Sequence, residues 1–306
     1  MSAPQNAKVI GVDLGGTNVR AAVISASGAI IERRRAATPY ESGVFGPPMR
    51  LVEAVASCVR PLIDAHPECK AVGVGSAGQF NPITGRCLGI NTRDPQFVDF
   101  PMSELLADAL NTEVCIDNDV KMAAYSELKL GAGRGRSNWL FVAVGTGIGG
   151  ALILGGQLYH GMSGLAGHLG LFPDPQSGDH IESIAGGVPL GRGAQKQGII
   201  APHETTETLF EQARAGDTVA ADFISAGASA LGRVLAGLAH TLEPELILMG
   251  GSVGIQPEYL AAVAAALQST VLPAWRPVRV APAQLGTDAG LIGAGLCAIE
   301  RFYAGV

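Results

Sequence analysis

Val9–Ile24, VIGVDLGGTNVRAAVI, is the stretch that most constrains the fold of this chain. An apolar run ends in a carboxylate, two glycines and a threonine follow, and a second apolar run returns. The pattern predicts a buried strand from Val9 to Leu14, a turn at Gly15-Gly16-Thr17-Asn18, and a returning strand from Val19 to Ile24. Glycines strip the turn of side chains, so its backbone N–H groups can face an anion, and Thr17 adds a hydroxyl donor. Asp13, at the end of the first strand, is placed to face a hydrated magnesium ion. Taken alone, the stretch is equally an ordinary hairpin with a Gly-Gly turn. Leu140–Leu154, LFVAVGTGIGGALIL, repeats the design with an apolar run, a Gly/Thr turn and an apolar return. The two hairpins suggest two similar halves facing one phosphate chain, although the repeat is short.

DLGGTN (13–18) followed by VGTGIGG (144–150) resembles the two phosphate loops of the sugar-kinase and actin superfamily. Within it, the chain is most similar to the ROK family of bacterial sugar kinases and repressors, from about Lys8 to the C-terminus and in five separate motifs. The resemblance implies an α/β protein of two actin-like (ribonuclease H-like) domains with an interdomain active-site cleft. The first domain is expected over 1–118 plus 288–306 and the larger second one over 119–287. It implies ATP and Mg2+ as cofactors, with Asp13 orienting the metal through water. Gly15, Gly16, Thr17, Asn18, Thr146 and Gly147 are then phosphate ligands. Gly250 and Gly251, in GGSVG, resemble the family's adenosine motif.

Composition agrees with a two-domain α/β reading. The chain has 306 residues, 47% of them hydrophobic, with 42 glycines and few aromatics, which suits tight turns and alanine-rich helices. A net charge of −6 without a basic cluster argues against a nucleic-acid surface. The five cysteines are widely spaced and form no CxxC, as expected of reduced thiols rather than a disulfide framework or a zinc site. The N-terminal MSAPQNAK lacks an apolar signal core. Leu140 to Tyr159 is apolar but broken by glycines, so it reads as buried strands and not as a membrane span. A cytoplasmic protein without a membrane partner is the expectation.

The rest of the chain adds candidate residues in order. A strand is expected from Ile30 to Arg35 and a helix from Pro47-Pro48 to about His66, kinked or shortened at Pro61. The strand Ala71–Ser76 leads into Gly75-Ser76-Ala77-Gly78. Gly73-x-Gly75-x-x-Gly78 and Gly145-x-Gly147-x-x-Gly150 both spell the dinucleotide fingerprint, but a turn follows the first and an apolar strand the second, where the fingerprint needs a helix. Ala77 and Gly78 resemble the family's sugar-pocket turn, and without a ligand they are simply a turn. Asn91 resembles the family's sugar-binding asparagine.

Asp117-Asn118-Asp119, between the strand Glu113–Ile116 and the helix Val120–Leu130, is the best catalytic candidate. A carboxylate at such a junction is held by backbone on both sides. Helix capping by Asp117 or Asn118 is the other account of these residues. The resemblance makes Asp119 the general base and Asn118 a sugar ligand.

Ser163–Phe172, SGLAGHLGLF, departs from the family pattern Ala-Gly-Glu-Ile-Gly-His. His168 stands at the sugar-binding glutamate and Leu171 at the zinc-binding histidine. No cysteine-rich loop follows in FPDPQSGDHIE, so no structural zinc is expected. His160, His168 and His180 with Asp174 lack metal-ligand spacing. Glu182, in IESIAGG, matches a later sugar-binding glutamate and is otherwise an ordinary first-turn helix charge. The histidine at 168 resembles bacterial N-acetylmannosamine kinases. An imidazole there can donate or accept at the sugar's C2, where a carboxylate only accepts.

Helices are expected over Glu204–Ala215, Thr218–Leu242 and Asp288–Tyr303, and a strand over Leu246–Met249. Gly250-x-Ser252-x-Gly254 spells a hydrolase nucleophile elbow, but the last histidine is His240, and that fold needs one after the serine. No P-loop motif occurs. The expected function is transfer of the ATP γ-phosphate to the 6-hydroxyl of a hexose or N-acetylhexosamine, N-acetylmannosamine first and glucose as the alternative. A sugar-responsive repressor would need a DNA-binding domain ahead of Lys8, where this sequence has seven residues. A sugar-binding protein without catalysis is the remaining rival. The resemblance also implies a homo-oligomer, with a dimer as the simplest form.

Overall fold

The computed structural model describes residues 6–41, 44–89 and 94–303. The chain divides into two compact units, Met1–Arg134 with His160–Ala166 and Thr287–Val306, and Gly135–Tyr159 with Gly167–Gly286. The first unit opens with β1 (Lys8–Leu14), β2 (Asn18–Ser25), β3 (Ile30–Ala37) and the two-residue strands β4 (Tyr40–Glu41) and β5 (Val44–Phe45). It continues with α1 (Pro48–Ala65), β6 (Ala71–Ser76), β7 (Gln79–Phe80), β8 (Cys87–Gly89), α2 (Met102–Leu110), β9 (Glu113–Asn118) and α3 (Asp119–Lys129). Its main sheet has the order β3-β2-β1-β6-β9. The first two pairings are antiparallel and the last two parallel.

The second unit contains β10 (Trp139–Val144), β11 (Ile148–Leu154), β12 (Gln157–Tyr159), α4 (Ile181–Ala185), α5 (Gly187–Lys196), α6 (Thr206–Arg214), α7 (Thr218–Leu242), β13 (Leu246–Gly250), α8 (Pro257–Thr270) and β14 (Arg279–Pro282). Its sheet, β12-β11-β10-β13-β14, repeats the first plan strand for strand, with the same two antiparallel and two parallel pairings. The likeness glimpsed in two short hairpins thus extends to the whole sheet. The last helix, α9 (Ala289–Tyr303), belongs to the first unit.

Alternation along β1 and β2 decides what lies on each face of the first sheet. Ile10, Val12 and Leu14, with Val19, Ala21 and Val23, pack in one core with Leu51, Val55 and Val59 of α1. Val9, Ala22 and Ile24 pack on the other face with Leu291, Ala298 and Ile299 of α9. Gly11 and Gly73 lie on that second face because α9 comes so close. A side chain at Gly11 would overlap the Leu291 carbonyl, and one at Gly73 the Ala294 carbonyl. Gly293 returns the favour on α9, lying against the Met122 carbonyl of α3.

This packing moves the unit boundary. The expected division after Asn118 falls after Arg134 instead, because α3 is packed on α9 within the first unit. A short excursion, His160–Ala166, also belongs there. Pro61 neither ends nor shortens α1, which runs on to Ala65. In the second unit α7 is long and apolar enough to cross a bilayer by length and composition. Ile224, Leu231, Leu235 and Ala239 on it are instead buried in the core with Val263 and Leu267 of α8.

Candidate active site

Sheet register brings the first half of the site together. Asp13 faces Arg20 on β2 and Gly75 on β6, and Gly75 faces Asp117 on β9. One row across the sheet therefore reads Arg20, Asp13, Gly75, Asp117, on the face that carries α9. The glycine leaves room above it: a side chain at Gly75 would meet Met122 and the Asp119 Cα, 3.5 Å away. The start of α3 thus settles over the gap beside Asp13. Gly290, at the start of α9, lies beside both groups, 3.7 Å from the Asp119 carbonyl and 3.8 Å from Asp13 Oδ1, measured from an ideal Cβ.

Asn118 caps α3, which frees Asp119 from that duty. Asn118 Oδ1 accepts from the N–H groups of Val120 and Lys121 at 3.0 and 3.3 Å. Its Nδ2 donates to the Gly78 carbonyl at 2.9 Å and to Asp119 Oδ1 at 3.0 Å. Asp119 Oδ1 also accepts from the Val120 N–H at 2.9 Å. Burial, then the neighbouring Asp13 charge, push the Asp119 carboxyl up to about 6, against the Val120 N–H, its own N–H and the Asn118 amide, which lower it. A carboxylate with that pKa is an effective proton acceptor near neutral pH.

Asp13 is held on its other side by Arg20, whose Nε and Nη2 both reach Oδ2. Arg20 donates as well to the Thr287 carbonyl at 2.7 Å, and Arg33 pairs with Asp288 through two bonds of 2.9 and 2.8 Å. The turn that follows is closed by its own backbone. The Gly15 N–H closes the turn on the Asn18 carbonyl at 3.0 Å, so here Gly15, expected as a phosphate ligand, spends its donor on shaping the loop. Buried Thr38 ties the loop from behind, donating to the Gly15 carbonyl at 2.7 Å. Asn18 Oδ1 accepts from Arg35 Nε. Among the described residues the N–H groups of Gly16 and Thr17 find no acceptor, which is the condition an anion-binding nest requires.

The second unit carries the matching loop. The Gly145 N–H closes its turn on Gly147 at 3.0 Å. Thr146 and Gly147 keep N–H groups without an acceptor among the described residues. The loop is anchored by the start of α5, where Gly187 and Val188 donate to the Gly145 and Thr146 carbonyls at 2.9 and 3.0 Å. Glu182 Oε2 accepts from the Ile148 N–H at 2.8 Å, and a side chain at Gly147 would overlap that carboxylate. Glu182 therefore braces the loop, a role that sequence reasoning missed. A cavity of about 390 Å3 opens beside the loop, lined among others by Thr146, Val188, Phe210, Ser252, Val253 and Gln256. Gly250 and Gly251 do not line it. They make the turn beneath: φ at Gly251 is +79°, and a side chain there would overlap the Val144 carbonyl.

Of the sugar candidates, Gly78, Asn118 and Asp119 are joined by direct bonds in the first unit, with Ala77 beside Gly78 on the same turn. His168 and Glu182 lie in the second unit, His168 at the head of the short 3-10 turn Leu169–Leu171. Asn91 lies outside the described residues. Sequence reasoning passed over Arg20 and the cluster behind Asp119. Asp117, 2% exposed, has His160 Nε2 on Oδ2 at 2.7 Å and Lys121 Nζ 3.9 Å from Oδ1. Strand register pointed to Arg20 once β1 and β2 were paired. Nothing local pointed to His160.

Asp13 fits magnesium held through water. Its Oδ2 is committed to Arg20, and Oδ1 faces the side where Asp119 and Gly290 lie. Among the described residues, no group of three or more His, Cys, Asp or Glu side chains is placed to hold a metal directly, and His160 is turned to Asp117.

Known proteins match the chain along nearly its whole length. The ROK family profile matches residues 9–301. An N-acetylmannosamine kinase of Yersinia pseudotuberculosis is 32% identical over 299 residues, covering 95% of this chain and 98% of its own. A ROK family glucokinase from Streptomyces griseus, solved with glucose and AMPPNP, superposes with a TM-score of 0.81 at 29% identity, over 95% of this chain and 99% of its own. A ROK hexokinase from Thermus thermophilus superposes at 0.80 and 31% identity, over 97% and 100%. With the actin-like sugar-kinase fold in both units and these relatives along nearly its whole length, the chain belongs to the ROK family.

Proposed function

We propose that the protein is an ATP-dependent sugar kinase that phosphorylates the 6-hydroxyl of N-acetylmannosamine. The observation that carries the reading is Asp119: a carboxylate raised to about 6 at the first residue of α3, with Asn118 doing the capping. Asp119 takes the proton of the sugar hydroxyl as that oxygen attacks the γ-phosphorus, and the bond from phosphorus to the β,γ-bridging oxygen breaks, leaving ADP. Asn118 and Gly78 orient the sugar beside Asp119. The open N–H groups of Gly16, Thr17, Thr146 and Gly147 hold phosphate oxygens, and the cavity beside Thr146 takes the nucleoside. Asp13 would hold magnesium through water, and the metal supplies neutralising charge on the phosphates when bound. His168 is the proposed contact at the sugar's C1–C2 edge, with Glu182 and Asn91 as further sugar ligands.

The choice of N-acetylmannosamine rests on His168 in Gly-Leu-Ala-Gly-His and on the Yersinia relative. Glucose is the second reading, favoured by the likeness to the Streptomyces glucokinase. A homo-oligomer, simplest as a dimer, working in the cytoplasm is part of the same proposal. The test is a coupled ADP-release assay with Mg-ATP against N-acetylmannosamine, N-acetylglucosamine, glucose, mannose and fructose. A kcat/KM for N-acetylmannosamine at least about tenfold above the others supports the first reading. A preference for glucose moves the assignment to a glucokinase. No turnover with any sugar, alongside sugar binding by calorimetry, assigns a binding protein without catalysis.

A further inference from the structure

The cluster behind Asp119 has no part in the mechanism above, yet it is built with care. Asp117 and Lys121 lie four residues apart, at the end of β9 and in the first turn of α3, so they bracket Asn118 and Asp119. Both are almost fully buried, at 2% and 1% exposure. Two buried charges of this kind are costly unless each is paired and hydrogen-bonded. Here each has a second partner, and both partners come from the His160–Ala166 segment. Lys121 Nζ donates to the Gly164 carbonyl, and His160 Nε2 meets Asp117 Oδ2 at 2.7 Å. A carboxylate only accepts, so Nε2 carries the proton and His160 is the donor. Gly164 fits this place through a φ of +92°, packed against the Phe80 carbonyl where a side chain would overlap. The Ala166 N–H donates to the His160 carbonyl at 3.1 Å, which closes the segment into a compact loop.

From the imidazole a continuous path of hydrogen bonds leads to the base. His160 donates to Asp117 Oδ2, and Asp117 Oδ1 accepts from the Asn118 N–H at 2.7 Å. Asn118 Nδ2 then donates to Asp119 Oδ1 at 3.0 Å. We propose that His160 is a positioning residue for Asp119, acting through Asp117 and Asn118, with Lys121 clamping the same segment to the start of α3. The inference rests on the reading of Asp119 as the base. The path fixes the Asp117–Asn118 peptide and hence the aim of the Asn118 amide. That amide sets the direction in which the Asp119 carboxylate presents itself to the sugar hydroxyl. His160 touches neither substrate nor phosphate. Its imidazole is about one-third exposed, so the side chain can be changed without opening the core.

The experiment compares His160→Ala, His160→Gln and Asp119→Asn with the full-length parent, on the best sugar of the panel. Gln Nε2 can donate from nearly the place of the imidazole Nε2–H. His160→Ala is expected to lower kcat by about tenfold or more, since a small misplacement of a reacting group is costly. KM for sugar and for ATP should stay within about twofold, and His160→Gln should recover most of the rate. An unchanged kcat in His160→Ala, with Asp119→Asn inert, overturns the positioning role and leaves the base intact. A loss confined to thermal stability or to KM, which glutamine does not repair, overturns it as well and marks a structural contact. Near-normal turnover in Asp119→Asn overturns the base reading itself and the positioning role with it.

Discussion

The two glycine hairpins share a sheet position and differ in what they bring to it. The first turn joins Leu14 to Val19, and the second, one residue shorter, joins Val144 to Ile148. The first is charged: Asp13 stands on its incoming strand, paired with Arg20 on the outgoing one, and Asp119 lies close by. The strands of the second, WLFVAV and IGGALIL, carry no ionisable side chain, and its support is borrowed from the Ile148–Glu182 bond and the start of α5. One plan has thus been fitted out twice. The Asp13–Arg20 pair and the Asp119 carboxylate lie in the first unit, and the second offers open N–H groups and the cavity beside Thr146. The one carboxylate that reaches the second loop, Glu182, is engaged by the Ile148 N–H and so is not left bare towards a phosphate chain, which it would repel at short range.

The largest expected effect tests the charged side. Asp119→Asn should lower kcat by about 10^3-fold or more with the sugar still bound, as measured by steady-state kinetics and calorimetry. Parent kcat/KM should fall tenfold per unit as pH drops below about 6, where Asp119 takes its proton. The next effect tests the neutral loop. Gly147→Ala drives a methyl into the Glu182 carboxylate and should cost about 10–100-fold in kcat/KM for ATP. Gly16→Ala meets only the Tyr40 ring at an ordinary 3.5 Å and should cost less than about threefold. Equal losses at both glycines would break the contrast between the loops. Arg20→Ala removes the brace from Asp13 and should raise the magnesium concentration for half-maximal rate by about tenfold. Glu182→Gln, its counterpart in the second loop, should leave that concentration unchanged. The smallest effect is on stability. The folded pKa of Asp119 lies above its unfolded value, so the ionised carboxylate costs stability at neutral pH and the cost disappears as pH falls towards 4. Asp119→Asn should therefore be more stable than the parent by about 1–2 kcal/mol at pH 8, with the gain shrinking below pH 6, as thermal melts across pH will show.

Much of this was written in local sequence. Apolar runs interrupted by Gly/Thr turns located both hairpins, and α7 runs over Thr218–Leu242 as the pattern predicted. Asp119 stood out because a strand and a helix met at it, a junction that three residues suffice to spell. The open question of which residue caps α3 was answered only by side-chain geometry, in favour of Asn118. The misses are long-range. Arg20 serves Asp13 through strand register, and Glu182 reaches Ile148 across 34 residues. His160 reaches Asp117 across 43. A lone histidine in a Gly-rich loop has no periodicity to betray a partner that far away. The unit boundary was misplaced for the same reason, since only packing shows that α3 rests on α9.

That packing also ties together the two ends of the chain. The face of the first sheet that carries Asp13 is covered by α9, nearly three hundred residues downstream of β1. Every strand of both sheets therefore precedes in the chain the helix that seats against Gly11 and Gly73. The second unit is encoded without such a break, apart from the His160–Ala166 excursion. Gly290, beside Asp13 and Asp119, comes with that helix. The first unit, with Asp13 and Asp119, thus waits on a contact that spans most of the chain, whereas the second closes within one stretch of it.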